Sequence, residues 1–329
     1  LRAGWRHAMQ MPRVDLLARH NDDSGEPVLP SPLVQELLLD GVVQPGEEPR
    51  GTRSLQPTPV ARPQAVAATL PVEKLSASAY EDLRRCPYRF FALRQLGLQE
   101  ADEIDADLDK RDFGNWLHEV LRGFHEAEAE RGCGERGARR TLLDECAREA
   151  TRSLHLPAGE FLPFEAAWPK VREGYLDALE THESKEGASF QSAETAHEVP
   201  VGPVHLIGRI DRVDRVRDGL RMVMDYKTES ATQTAARVKQ PGEDTQLAFY
   251  AALLGDDELR AAYVNVGERG KTEFIEQTQV LEARDALVHG IVHGLRRIAD
   301  GVPMQALGEG QACEWCAARG LCRKDFWSA

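Results

Sequence analysis

Two apolar-rich runs, Val204–Val216 and Leu220–Lys227, are separated by a three-residue loop that ends in Gly219. Loops of this length usually close β-hairpins with glycine in the left-handed position at the end of the loop. Such a turn fixes the register of the two strands and places Asp211 directly opposite Asp225. The alternative, a two-residue Asp-Gly turn, would put the two aspartates on opposite faces of the hairpin. A hairpin in the first of these registers is the strongest constraint that the sequence places on the fold.

The facing aspartates predict a site for a divalent cation. Like charges directly opposite each other destabilise a hairpin, and a hard cation such as Mg²⁺ removes that repulsion while water and phosphate oxygens complete its coordination. Lys227 lies on the same face as Asp225, because side chains alternate along a strand. There it can orient or help to deprotonate an attacking water and stabilise charge that develops on a phosphate group. The structural alternative is a solvent-exposed hairpin with ordinary Asp–Lys and Asp–Arg pairs.

Two predicted helices contribute further candidate residues. Apolar residues recur at helical spacing from position 113 to 124, and His118 falls at the edge of that stripe, whereas His125 is predicted to lie at the surface. Gln246 and Tyr250 are four residues apart on a later helix, so they share one face. Each has a structural alternative: His118 would hydrogen-bond a carbonyl group at the edge of the core, and Tyr250 would pack in the core beneath Gln246.

Three cysteines, Cys313, Cys316 and Cys322, lie close together in the C-terminal tail. Six cysteines in 329 residues are too few for a disulfide scaffold, and clustered thiols of this spacing are typical of metal sites. A fourth sulfur has to come from elsewhere, and Cys86 is the best donor because the other two cysteines have no partner at ligand spacing. Four thiolates suit either Zn²⁺ or an iron–sulfur cluster, and spacing does not decide between them. The resulting clasp between the N- and C-terminal segments of the domain is expected to be structural.

The order of the predicted elements indicates an α/β (α+β) fold with a small mixed central sheet flanked by helices. Residues 1–43 have the character of a remnant of a preceding domain, and a start at Leu1 rather than Met suggests a piece of a longer polypeptide. Residues 44–74 are rich in proline and are predicted to be a linker, and residues 75–329 form the ordered domain. No apolar run approaches membrane-spanning length and no export signal is visible, so we expect a soluble cytoplasmic protein without a membrane partner.

The net charge of −13 is unfavourable for a protein that binds nucleic acid unaided, because such proteins usually present a basic surface. Bound divalent cations, local basic patches or a further part of the polypeptide would offset it. The charge therefore predicts weak DNA binding by the chain alone and does not exclude a nuclease.

The segment Gly208-Arg-Ile-Asp-Arg-Val-Asp, followed by Asp225-Tyr-Lys, resembles the PD-(D/E)xK nuclease core in its RecB-like and AddB-like branch. The resemblance covers roughly residues 75–327 and implies a restriction-endonuclease-like core. It implies that Asp211 and Asp225 bind Mg²⁺ or Mn²⁺ and that Lys227 is catalytic. One departure is Met224, which stands where the family pattern has proline.

The same resemblance assigns roles to the supporting residues. The motif Phe-Gly-Asn-Trp-Leu-His118 resembles that of RecB-like nucleases in which the histidine is a metal ligand. Gln246 and Tyr250 resemble a catalytic pair that positions the lysine or the DNA backbone through hydrogen bonds. Independently of the resemblance, Glu198 lies before the Asp211 strand and is a weaker candidate for an acidic ligand, with Glu194 as its rival. The structural alternative is that both glutamates are exposed on an edge strand.

The cysteines extend the resemblance. Cys86 with the three tail cysteines Cys313, Cys316 and Cys322 is similar to the arrangement that holds a [4Fe–4S] cluster in AddB-like nucleases, with Zn²⁺ as the alternative occupant. This comparison implies a bacterial, cytoplasmic protein.

The leading hypothesis is therefore a divalent-metal-dependent DNA exonuclease domain that hydrolyses phosphodiester bonds as part of a helicase–nuclease in recombination or repair. Its expected partners are DNA, as a single strand or the end of a duplex, and a helicase-like portion of the same polypeptide, of which residues 1–43 are the remnant, or a partner subunit. The alternatives are a non-catalytic module that binds DNA ends or a partner on a nuclease fold, and a zinc-bound structural adaptor.

Overall fold

The computed structural model describes residues 2–22, 25–41, 43, 58–99, 108, 110–132, 134–240 and 242–328. It divides the chain into two units, Leu1–Pro57 and Thr58–Ala329. Of the predicted linker, residues 44–57 lie outside the described residues, whereas residues 58–74 contain one short strand and the first residue of another, and belong to the second unit. No helix in the described ranges is both long enough and apolar enough to cross a membrane.

Helices and strands alternate irregularly along the chain. The helices are α1 (Arg2–Ala8), α2 (Pro32–Leu39), α3 (Ala77–Arg85), α4 (Pro87–Phe90, continued by a π-helical turn, Phe91–Gln95), α5 (Lys110–Arg131), α6 (Arg136–Ser153), α7 (Ala158–Glu186), α8 (Ala231–Lys239), α9 (Gln246–Leu254), α10 (Val280–Ala299) and α11 (Arg319–Cys322). The strands are β1 (Gln64–Ala65), β2 (Lys74–Leu75), β3 (Ser189–Val201), β4 (Val204–Arg215), β5 (Arg221–Lys227), β6 (Leu259–Val266), β7 (Thr272–Glu276) and β8 (Met304–Gln305).

A mixed sheet of six strands forms the centre of the second unit, in the order β2-β4-β5-β6-β7, and β3 pairs along the other side of β4. The β2–β4 and β5–β6 pairs are parallel, whereas β3–β4, β4–β5 and β6–β7 are antiparallel. Helices pack on both faces, so the predicted α/β (α+β) fold with a small mixed central sheet is confirmed.

The β4–β5 hairpin has the predicted three-residue turn. Val213 lies opposite Val223, Val216 N donates a hydrogen bond to Leu220 O at 2.9 Å, and Gly219 has a φ of +77°. A residue with a Cβ is rarely stable at that φ, so glycine is required at the end of the loop.

Alternation along the two hairpin strands divides the buried side chains between two cores. Val213 and Val223 join the core beneath α9 and α10, whereas Met222 and Met224 join the core formed with α5, α6 and α7. Because Asp211 and Asp225 are two residues from Val213 and Val223, they belong to the α9 side of the sheet.

Candidate active site

Asp211 lies where β4 changes its partner. Along one edge, β4 pairs with β2 at residues 205 and 206 and with β5 only from Arg212 onward. Beyond the end of the β4–β5 ladder, Tyr226 N donates to Asp211 Oδ2 at 2.9 Å, so a side chain of β4 is bonded to β5 in place of its main chain. Tyr250 OH, from α9, donates to Asp211 Oδ1 at 3.1 Å. The carboxylate is therefore held from two directions in a site where the sheet opens.

Asp225 and Lys227 are bridged by the amide of Gln246. Lys227 Nζ lies 2.6 Å from Asp225 Oδ2 and donates to Gln246 Oε1 at 2.8 Å. The same amide donates from Nε2 to Asp225 Oδ1. Since a glutamine amide has one oxygen acceptor and one nitrogen donor, these two partners fix its orientation. Gln246 thus keeps the ammonium group beside the carboxylate, and the structure brings all five predicted catalytic residues together.

His118 reaches the same carboxylates from α5. Its Nδ1 atom lies 3.4 Å from both Asp211 Oδ2 and Glu194 Oε1, and its Nε2 atom lies 3.3 Å from the main-chain oxygen of Tyr226. One ligand atom from each of His118, Glu194 and Asp211 can be chosen so that all three lie within 4.8 Å of one another. One imidazole nitrogen and two carboxylate oxygens suit Mg²⁺ or Mn²⁺, so the donor set fits a divalent cation.

Glu194, rather than Glu198, is the acidic residue of β3 that reaches the cluster. In the β3–β4 ladder, Ala193 pairs with Arg212 and Thr195 with Ile210, which places Glu194 across from Asp211. Glu194 has a φ of +45°, a left-handed conformation that costs free energy in a residue with a side chain and is often found at functional sites.

The predicted ligand Glu198 is not brought to the site. It pairs with Ile207, and its carboxylate binds Lys74 at 2.9 Å and His205 at 3.2 Å. Four residues of strand separate it from Glu194, or roughly 13 Å. Residues four apart share a face in an ideal strand, so alternation in the sequence does not distinguish the two glutamates. The β3–β4 register places Glu194, and not Glu198, across from Asp211.

The carboxylates of the cluster are buried close together, so their negative charges are poorly solvated and repel one another. Burial, together with the neighbouring Asp225, raises the pKa of Asp211 to about 7. Burial by itself lowers the pKa of His118, but Glu194, Asp211 and Asp225 outweigh it and raise that pKa to about 9. The carboxylates therefore favour a cation among them, either a proton or a metal ion.

A second set of predicted ligands meets at one pocket. Cys86, between α3 and α4, and the tail cysteines Cys313, Cys316 and Cys322 all line it, together with small residues such as Ala312. The structure therefore brings the four cysteines to one pocket. Among the described residues, the His118 cluster is the only group of three possible metal ligands whose ligand atoms all lie within 4.8 Å of one another. No three of the cysteine sulfurs therefore lie within 4.8 Å of one another.

The prediction that His125 lies at the surface is wrong. Its side chain is buried, its Nε2 atom is 2.6 Å from Tyr175 OH, and its ring stacks on Phe190 with centroids 5.3 Å apart. Helix α5 is covered on this side by β3 and α7, which the apolar pattern of α5 alone does not indicate.

The sequence of residues 74–323 matches the family model of the PD-(D/E)XK nuclease superfamily. This chain belongs to that superfamily. Two solved structures resemble it at 13% sequence identity. SSO0001 matches over 76% of this chain and 85% of its own, with a TM-score of 0.34. A protein from Eubacterium rectale named "Putative exonuclease" matches over 78% of this chain and 90% of its own, with a TM-score of 0.39. The comparison with curated proteins gave no match.

Proposed function

We propose that this superfamily member is a divalent-metal-dependent DNA exonuclease domain of the RecB-like and AddB-like branch. The observation that carries the proposal is the convergence of Asp211, Asp225 and Lys227 at the opening of the sheet, with His118 and Glu194 completing a set of possible ligands. Buried carboxylates that face one another are destabilising unless a cation binds among them. Each member of the group also has a chemical role in the hydrolysis of a phosphodiester.

Some residues of the site would bind the cation, and others would stabilise charge on the phosphate. His118, Glu194 and Asp211 would hold a divalent cation, with Asp225 beside them. Such a cation, when bound, acidifies water and neutralises phosphate charge. Lys227, whose side chain is 18% exposed, is positioned to orient the attacking water and to stabilise charge on the phosphate. Gln246 maintains the position of Lys227, and Tyr250 fixes the Asp211 carboxylate.

Although the chain is acidic overall, an exposed positive charge lies beside the site. Arg209, on β4, places its Nε atom 3.9 Å from Glu194 Oε2, and its side chain is 66% exposed. A DNA phosphate that enters the cluster would therefore meet an exposed guanidinium group. With a net charge of −13 the isolated chain is expected to bind DNA weakly and with strong salt dependence. We propose that a helicase-like portion, of which residues 1–43 are the edge, or a partner subunit delivers the strand in the bacterial cytoplasm.

A cleavage assay tests the proposed activity. The protein is incubated with linear single-stranded DNA labelled at one end, and with the same sequence as a covalently closed circle, with Mg²⁺, Mn²⁺ or EDTA. We expect slow degradation of the linear strand that requires metal, and much slower loss of the circle. Equal rates on the two substrates would indicate an endonuclease. Binding without cleavage under every metal condition would support the non-catalytic, DNA-end-binding alternative.

For the cysteine pocket we propose a [4Fe–4S] cluster that joins Cys86 to the tail. Four cysteines that line one pocket supply the thiolates that such a cluster requires. Two guanidinium groups secure the surrounding main chain: Arg89 donates to Ala312 O at 3.2 Å and Arg319 donates to Cys313 O at 3.3 Å.

Replacing Cys316 with serine is expected to remove the colour and the iron of protein purified without oxygen. The variant should also become sensitive to proteases near Cys86 and in the tail, because the two segments are then no longer tied. Iron, labile sulfide and visible absorbance are the measurements. Cys146→Ser is the matched control: this half-buried thiol packs near Gly123, away from the pocket, and its variant should keep full iron content. Stoichiometric zinc without iron in the wild type would contradict the cluster and retain the clasp.

A further inference from the structure

A buried polar cluster lies on the face of the sheet opposite the catalytic residues. Arg212 and Asp214 alternate with Asp211 along β4, and they are 1% and 0% exposed. The guanidinium group donates to both carboxylate oxygens, from Nε at 2.8 Å and from Nη2 at 2.6 Å. His182 Nε2, from α7, lies 3.2 Å from Asp214 Oδ2. These paired charges lie beneath the strands that carry the catalytic residues, and each depends on the other because both are buried.

The direction of the hydrogen bonds in the cluster follows from Arg212. Its Nη1 atom lies 2.9 Å from His125 Nε2 and 3.0 Å from Tyr175 OH. A guanidinium group cannot accept a hydrogen bond, so His125 Nε2 carries no proton and is an acceptor. Burial, with Arg212 as the next cause, holds the pKa of His125 well below its usual value, which agrees with a neutral ring.

With an acceptor at His125, the two tyrosines are ordered as well. Tyr175 OH lies 2.6 Å from His125 Nε2 and donates to it. The Tyr175 oxygen is 3.1 Å from Tyr226 OH and has its own proton engaged, so Tyr226 is the donor in that contact. A directed chain of hydrogen bonds therefore runs from Tyr226 through Tyr175 to His125.

Tyr226 connects this chain to the candidate metal site through its main chain. Its N–H group donates to Asp211 Oδ2 at 2.9 Å, and its carbonyl oxygen lies 3.3 Å from His118 Nε2. A proton on Nε2 bonded to that carbonyl leaves Nδ1 unprotonated in the neutral ring, and Nδ1 is the atom that faces Asp211 and Glu194. Histidine ligands are commonly oriented in this way, by a carbonyl on the nitrogen that does not bind the metal.

We propose that Tyr226 is a positioning residue whose phenol, anchored by Tyr175 in the buried cluster, sets the main-chain groups that orient His118 and Asp211 for a divalent cation. The proposal rests on the proposed metal-dependent function. Tyr226, which lies between Asp225 and Lys227 in the sequence, would thus act through a side chain on the opposite face of the sheet.

The test is Tyr226→Phe, which removes one hydroxyl group and keeps the buried ring. Mn²⁺ affinity is measured by calorimetry on the whole chain, without DNA, so the readout is independent of cleavage. We expect affinity to fall about tenfold, the lower end of the range for residues that orient metal ligands. His118→Ala should weaken Mn²⁺ binding further. Leu143→Ala is the control for stability, because it opens a cavity in the core shared with Tyr226 and has no polar contact with the site.

The outcomes separate positioning from folding and from the proposed function. Leu143→Ala should lower the melting temperature at least as much as Tyr226→Phe and leave Mn²⁺ affinity unchanged. If Tyr226→Phe binds Mn²⁺ as the wild type does while His118→Ala is weakened, the positioning role is overturned and the metal site stands. If His118→Ala also binds like the wild type, the metal site and the positioning role are both overturned.

Discussion

Lys227→Ala and Asp225→Ala are each expected to reduce DNA cleavage by about a thousandfold or more, because each removes a charge that acts on the reacting phosphate or its cation. The fold should remain intact. The Lys227 side chain is partly exposed, and its removal leaves Asp225 bonded to the Gln246 amide. Removal of Asp225 relieves its repulsion of Asp211, so the melting temperature of the metal-free variant should not fall and is expected to rise.

Matched controls come from the same sheet. Lys74 and Glu198 form an exposed ion pair at 2.9 Å, and neither belongs to the site. Lys74→Ala and Glu198→Ala should therefore cleave at close to the wild-type rate, whereas Glu194→Ala should lose metal-dependent activity. The rates are measured on linear single-stranded DNA at saturating Mn²⁺. Near-wild-type cleavage by Lys227→Ala or Asp225→Ala would refute the assignment of the site.

Arg212→Met is expected to cause the largest loss of stability, about 3–5 kcal/mol at pH 7, because it leaves the Asp214 carboxylate buried without its partner. Arg152→Met, at an exposed pair with side chains 73% and 67% accessible, should cost less than about 1 kcal/mol and serves as the control. Denaturant unfolding gives both values. A double variant, Arg212→Met with Asp214→Leu, should recover part of the loss, since no charge is then buried.

The loss in Arg212→Met should depend on pH in a defined direction. Burial favours the neutral acid, yet Arg212 and His182 outweigh it and hold the pKa of Asp214 below its usual value in the wild type. That carboxylate therefore stabilises the wild type above about pH 4, the ordinary pKa of an aspartate, and less as the pH falls below it. Without Arg212 the folded-state pKa rises above the unfolded value, and the variant is destabilised as pH increases. The difference between the proteins should thus shrink from pH 7 to pH 5, and an equal difference at both values would contradict the buried pair.

Short-range chemistry made much of the site predictable. The three-residue loop with glycine at its end determines the hairpin register, and the register determines that Asp211 and Asp225 approach each other and that Lys227 shares their face. The spacing of Gln246 and Tyr250 on one helix face is likewise local, and they do contact the aspartates and the lysine.

The features of the site that the sequence did not predict depend on pairing between distant segments of the chain. Ideal strand alternation predicts equivalent positions for Glu194 and Glu198, and the β3–β4 register places Glu194 across from Asp211. His125 is buried because α7 and β3 cover α5 from outside its own periodicity. The change of partner along β4, from β2 to β5, opens the sheet at Asp211, and no local pattern encodes it.

The sequence by itself thus determined the β4–β5 hairpin, its register and the residue types of the metal and cysteine sites. It could do so because turn geometry and helix or strand periodicity depend on a few neighbouring residues. Only the tertiary structure decided which glutamate joins the cluster, which histidine is buried and which main-chain groups orient the ligands. Those choices follow from contacts between segments tens to hundreds of residues apart, whose free energy depends on how the whole sheet is assembled.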